Sequence, residues 1–149
     1  MPSTQLPGRF WSRWLLGVSL GLVAFGLVLV VFPTLAARAF SLLVYVDPYR
    51  IEAFGAEATR YISLAHAVIG GLMIGWGAAL VLVARGPFAA GHTLGWRVVA
   101  FSILAWFMPD TAYSLWSGFW QNAVLNVGFL LLFGVPLLAT HEWQRDSAA

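Results

Sequence analysis

Four long apolar stretches alternate with short polar punctuation along this chain, at residues 14–32, 61–84, 98–117 and 120–140. Each holds about 20 mostly apolar residues, the length a helix needs to cross a hydrocarbon core about 30 Å thick. His66 and Asp110 are the ionisable groups that interrupt them well inside. The pattern predicts an all-α, integral membrane protein, an antiparallel four-helix bundle forming one domain over 1–149. Arg9 and Arg13 before the first stretch, and Leu35-Ala36-Ala37 after it, imitate a secretion signal. Its ~19 apolar residues exceed the 7–15 of a signal core, so it is read as a retained first membrane helix.

The connections carry their own signals. The 33–60 loop opens at Pro33 and continues with the apolar segment TLAARAFSLLVYV, too short to span, which predicts an interfacial helix or a segment folded onto the bundle. Asp47-Pro48 marks a turn. Glu52 and Glu57 read as solvated charges paired with nearby arginines. Pro109 and Pro136 deprive the carbonyls of Ala105 and Leu132 of their helical donors, and in lipid those carbonyls must find others. Gly71-x-x-x-Gly75, extended by Ala78 and Ala79, predicts close approach of another helix, either the first through Gly17 and Gly21 or a neighbouring subunit. The uncharged turn Ser117-Gly118-Phe119 makes the last two helices antiparallel neighbours.

Composition sharpens this picture. The chain of 149 residues is 60% hydrophobic and 9% charged, with mean hydropathy +0.82, far from the roughly 25% charged residues of soluble domains. Four spans leave no room for a separate soluble catalytic domain. All eight basic residues are arginines and form no basic tract, which argues against nucleic acid as a partner. The absence of cysteine removes disulfides, thiolate nucleophiles and thiolate metal sites. Arg9, Arg13, Arg85, Arg97 and Arg145 fall on one predicted side, and Arg38, Arg50 and Arg60 on the other. The positive-inside rule places both termini in the cytoplasm and the 33–60 loop outside. Trp11, Trp14, Trp96 and Trp143 then mark the inner boundary, and Trp116 and Trp120 the outer one.

Helical rise gives depth to the polar residues of the spans. From the outer helix ends, His66 lies about 7 Å down, Asp110 about 10 Å, and Asn122 and Asn126 about 3 and 9 Å. Their spacing gives faces: Ser63 with His66; Asp110 with Tyr113, Ser114 and Ser117; Asn122 with Asn126. Each face turns apolar further in, through Met73 and Gly77, Ile103, Trp106 and Phe107, and Phe129 and Phe133. Converging faces would enclose a pocket with a polar mouth and a greasy floor, suited to an amphiphile such as a lipid, quinone or isoprenoid. The plainer alternative is interhelical glue, with Asp110 accepting from His66 or Asn122. A carboxylate and an imidazole within spans are a costly form of glue, which keeps the site reading in view.

Other chemistries lack their parts. His92 and His141 lie about 25 Å from His66 by helical rise, so two imidazoles do not meet at one depth for a haem. Zinc-hydrolase motifs, a Gly-x-Ser-x-Gly elbow and phosphate-cradling loops are missing from the sequence, and no cofactor or metal is expected. The second-helix stretch AHAVIGGLMIGWGAALVLVARGP and the polar break PDTAYSLWSG resemble small bacterial four-helix membrane proteins of the DoxX-like kind. That resemblance implies the four-helix plan and brings no catalytic residues. The length and long first loop are also similar to the four-helix membrane glutathione transferases. Of that family's arginine, asparagine and glutamate signature, however, ATRYISLAHAV keeps Arg60 alone.

The functional expectation is a small bacterial inner-membrane protein, an accessory subunit or a binder of a lipophilic molecule through an outward-facing polar site. The ligand-binding candidates are His66, Asp110, Tyr113, Ser114, Asn122 and Asn126. The expected partners are membrane lipids, a small lipophilic molecule, and a second copy or another membrane subunit. The rival is a small membrane enzyme acting on a lipid or isoprenoid, with Asp110 and His66 as an acid–base pair.

Overall fold

The computed structural model describes residues 6–146, with side chains over 8–141; Trp143 and Arg145 lie outside the described side chains. The described residues form helices α1 (Leu6–Val31), α2 (Pro33–Tyr45), a 3-10 turn (Arg50–Phe54), α3 (Ala56–Arg85), α4 (Thr93–Trp116) and α5 (Trp120–Asp146), with no strand among them. Four of these are long and apolar enough to cross a membrane: Gly8–Val31, Ala56–Arg85, Thr93–Trp116 and Trp120–His141. The helices run past the apolar stretches because polar residues suit helix ends. Glu57 sits in the first turn of α3 and Arg85 in its last, each where the helix dipole favours its charge.

The 34–46 segment is indeed helical and folds onto the bundle. Pro33 occupies the start of α2, where its missing N–H costs nothing. Ala36, Ala37 and Ser41 are buried on one side of α2, while Leu35, Leu42 and Leu43 face outward. Its far end is tied down by Gln121 Nε2 donating to the Val44 carbonyl (3.1 Å) and Ser41 Oγ to the Asp47 carbonyl (2.7 Å). Arg38 pairs with Glu52 at 2.8 Å and lies over the Tyr49 ring. Both partners are about half exposed, so this pair contributes at most about 1 kcal/mol.

Two pairings organise the long helices. α3 lies along α1, α4 lies along α5, and α1 joins the pairs through α5. The α1–α3 seam is glycine-built, but not by the glycines the sequence suggested. A Cβ on Gly70 would fall 2.6 Å from the Gly26 carbonyl oxygen, and one on Gly26 would fall 2.7 Å from that of Gly70. Gly77 meets Val23 and Ser19 in the same way. By contrast Gly71, Gly75, Gly17 and Gly21 face open space. The alternative in which this strip meets α1 through Gly17 and Gly21 is therefore corrected: within the chain, the contact strip lies one residue around the helix.

A well-packed core fills the end of the molecule near the 86–92 turn. Leu15, Leu80, Phe88, Val99, Ile103 and Phe133 are buried there to 2% exposure or less. The proline prediction finds its donor here, since Trp14 Nε1 on α1 donates to the Leu132 carbonyl at 3.0 Å, the carbonyl that Pro136 leaves without a helical N–H. Trp96 Nε1 likewise reaches the Leu137 carbonyl at 2.8 Å. At the opposite end α4 stops in a Schellman turn. Phe119 N–H bonds to the Ser114 carbonyl and Gly118 N–H to that of Leu115, with Gly118 at φ 83°, the left-handed position that favours glycine.

Candidate functional site

Beyond the core, towards α2, the two helix pairs part and enclose a cavity of about 970 Å³. Large side chains face it from both pairs. α3 turns its glycines to α1 but presents Met73 and Trp76 to the cavity, and α4 presents Trp106. These form an aromatic floor: Trp76 lies 5.9 Å from Trp106 and stacks on Phe133 at 6.3 Å, and Trp106 meets Phe129 edge-on at 6.2 Å. Above that floor Ile69 and Leu72 of α3 and Tyr113 of α4 line the cavity while 49%, 70% and 64% exposed. The space therefore opens sideways between α3 and α4. The α2 end is covered by Phe40, Val44 and Tyr45, with Phe54 and Phe119 beside them.

All six residues singled out from the sequence line this one cavity. They do not form one hydrogen-bonded cluster. Asp110 Oδ1 accepts from Asn122 Nδ2 at 3.0 Å and from Ser114 Oγ at 3.3 Å, and Asn122 Nδ2 also donates to Ser114 Oγ at 2.8 Å. Because α4 and α5 are joined by a short turn, Asn122 of one is brought against Asp110 and Ser114 of the other. Asn126, 3% exposed, bonds through Nδ2 to Thr111 Oγ1 at 3.2 Å. Tyr113 borders the opening, its hydroxyl bonded to no described residue.

His66 stands apart on α3. Its Nδ1 is 2.8 Å from the Ile62 carbonyl and its ring packs edge-on against Phe40 at 5.1 Å. A carbonyl only accepts, so Nδ1 carries the hydrogen and Nε2 is left for other partners. No hydrogen bond joins His66 to Asp110; of the two donors expected for Asp110, His66 or Asn122, the structure brings Asn122 to it. Depth had suggested contact, but α3 begins at Ala56, so His66 lies about 15 Å along it rather than 7 Å. Moreover, α4 packs mainly on α5 and meets α3 over a smaller contact that includes Trp76 against Trp106.

The mouth also differs from expectation. The polar groups form one wall, and the end above them is apolar and aromatic. Met73, Trp106, Phe129 and Phe133 do line the interior, whereas Ile103 belongs to the core and Gly77 to the α1–α3 seam. Trp76 and the α1 row Leu22, Phe25 and Leu29 were missed. Their signal was present: Trp76 follows Met73 by three residues, and the α1 residues repeat at helical spacing. The Asp110–Ser114–Asn122 triad offers acceptor capacity, because both amide hydrogens of Asn122 are already engaged. No cluster of three or more metal-ligating side chains occurs among the described residues.

Comparison with known proteins finds no match, whether with family models, curated proteins or solved structures.

Proposed function

We propose that this chain is a small multi-pass protein of the bacterial inner membrane that binds a lipophilic or amphiphilic molecule, on its own or as an accessory subunit. The four long apolar helices are read as an antiparallel bundle across the bilayer, with both termini cytoplasmic. The five-to-three arginine bias supports that orientation, and α2, with its outward leucines, would then lie at the outer interface. The observation that carries the binding reading is the cavity. At about 970 Å³ it matches the ~300–1,000 Å³ of small-molecule sites, mostly apolar with a few placed polar groups. Its sideways opening between α3 and α4 would let a ligand enter from the lipid phase.

Native mass spectrometry of protein extracted in a gentle detergent tests this reading. A retained amphiphile supports it, and a bare chain after mild extraction counts against it. Reporter fusions at the C-terminus and in the 33–60 loop test the orientation; a C-terminal reporter active only outside the cytoplasm would reverse it.

One observation favours a second reading, a membrane enzyme. Asp110 and His66 border the same cavity, and each has one atom, Oδ2 and Nε2, hydrogen-bonded to no described residue. A substrate between them could receive a proton from one and give a proton to the other. Turnover of the retained molecule, abolished by Asp110→Asn, would move the case to catalysis.

A further inference from the structure

The charges and polar atoms left free inside the cavity select a class of ligand. Among the described residues, Asp110 is the one carboxylate lining it, and no arginine lines it. An anionic headgroup would therefore meet a carboxylate with no cation to offset it. Apart from the Tyr45 and Tyr113 hydroxyls, the donors are largely spent. Both Nδ2 hydrogens of Asn122 go to Asp110 Oδ1 and Ser114 Oγ. The Ser114 hydroxyl turns to Asp110 itself, and those of Ser41 and Ser117 bond to backbone carbonyls. What remains is mainly acceptor: Asp110 Oδ2, Asn122 Oδ1, and His66 Nε2 in the neutral ring. The Asn122 amide is oriented with Nδ2 towards Asp110 Oδ1 and Ser114 Oγ, which leaves its Oδ1 to accept.

The walls point the same way. Tyr45 meets Phe54 and Phe119 edge-on at 6.2 and 6.5 Å near the α2 end, and Trp76 and Trp106 form the floor. Aromatic faces carry negative quadrupole charge and attract cations, most strongly where water is scarce. Resting on the binding reading above, we propose that the cavity takes a lipophilic cation, a molecule with an apolar body and a protonated or quaternary cationic centre, held by the Asp110 carboxylate and the surrounding rings. A zwitterionic phospholipid fits less well, because no arginine or lysine among the described lining residues answers its phosphate.

Three probes of similar shape and different charge test this on the full chain in phosphatidylethanolamine–phosphatidylglycerol nanodiscs, with empty nanodiscs subtracted. Tetraphenylphosphonium is the cation, triphenylphosphine oxide the neutral form and tetraphenylborate the anion. The expected result is saturable binding of tetraphenylphosphonium at least tenfold tighter than the neutral probe, with no saturable binding of the borate. Asp110→Asn should erase that preference and Asp110→Glu should keep a measurable part of it, with helicity and monodispersity checked for each variant. The wild-type ranking alone already decides the charge question if a variant fails to fold. Equal or stronger binding of the neutral probe or the borate overturns the cation proposal while leaving a lipophile-binding site standing. Saturable binding of none of the three also overturns it; the broader reading falls only if native mass spectrometry finds no retained amphiphile as well.

Discussion

The two flanks of α3 show opposite solutions to helix packing. On the α1 flank, Gly26 and Gly70 bring backbone against backbone, and Gly77 receives Val23. On the α4 flank, Met73 and Trp76 face a cavity and the helices part. One helix thus makes a close-packed seam on one side and a cavity wall on the other. In lipid, where apolar side chains gain little by leaving the solvent, close approach and van der Waals contact hold helices together. The seam then anchors α3 so that the cavity flank need not pack.

The comparison is most easily broken at the seam. Gly70→Leu should have the largest effect, destabilising by about 3 kcal/mol or more, because even its Cβ would collide with fixed backbone. The same change at Gly71, one residue round, should shift stability by no more than about 0.5 kcal/mol. Denaturant titration in detergent micelles, followed by circular dichroism, reads both. Equal losses at the two positions would show that α1 and α3 do not meet as described.

The next effect concerns the packed end. Trp14→Phe strips the Leu132 carbonyl of its donor and should cost about 1–3 kcal/mol. Adding Pro136→Ala supplies a helical N–H to the same carbonyl, so the double variant should recover part of the loss. No recovery would mean that Trp14 matters through packing alone. A smaller effect is expected at the cavity's cover, where Val46 closes α2 at φ 58°, a conformation unfavourable for a β-branched residue by about 1–2 kcal/mol. Val46→Gly should raise stability by up to about 1 kcal/mol once the flexibility of glycine is offset.

How much of this was legible in the sequence follows the same division. The four long helices, the folded-down α2, and the meeting of Asp110, Ser114 and Asn122 could be read because length, proline placement and a short turn determine them. Hydropathy could not tell Gly70 and Gly77 from Gly71 and Gly75. Both strips are small and apolar, and a helix surrounded by apolar surroundings on every side carries no polar face to mark its exposed side. The separation of His66 from Asp110 was hidden for a related reason: position along a helix fixes height, not which neighbour the helix leans on. The large cavity residues were visible as aromatic positions, but nothing local said that they would hold helices apart rather than fill a core.

On the reading proposed above, the α3–α4 flank encloses a site that holds a lipophilic molecule. The most direct test compares wild type with Met73→Trp, which fills the cavity from α3, in one native mass-spectrometry experiment under identical gentle detergent, with circular dichroism confirming that both fold. The expected result is a retained amphiphile on wild type and its loss, or at least a tenfold drop in occupancy, on the filled variant. Equal retention on both proteins would contradict it, by showing that the bound molecule sits elsewhere.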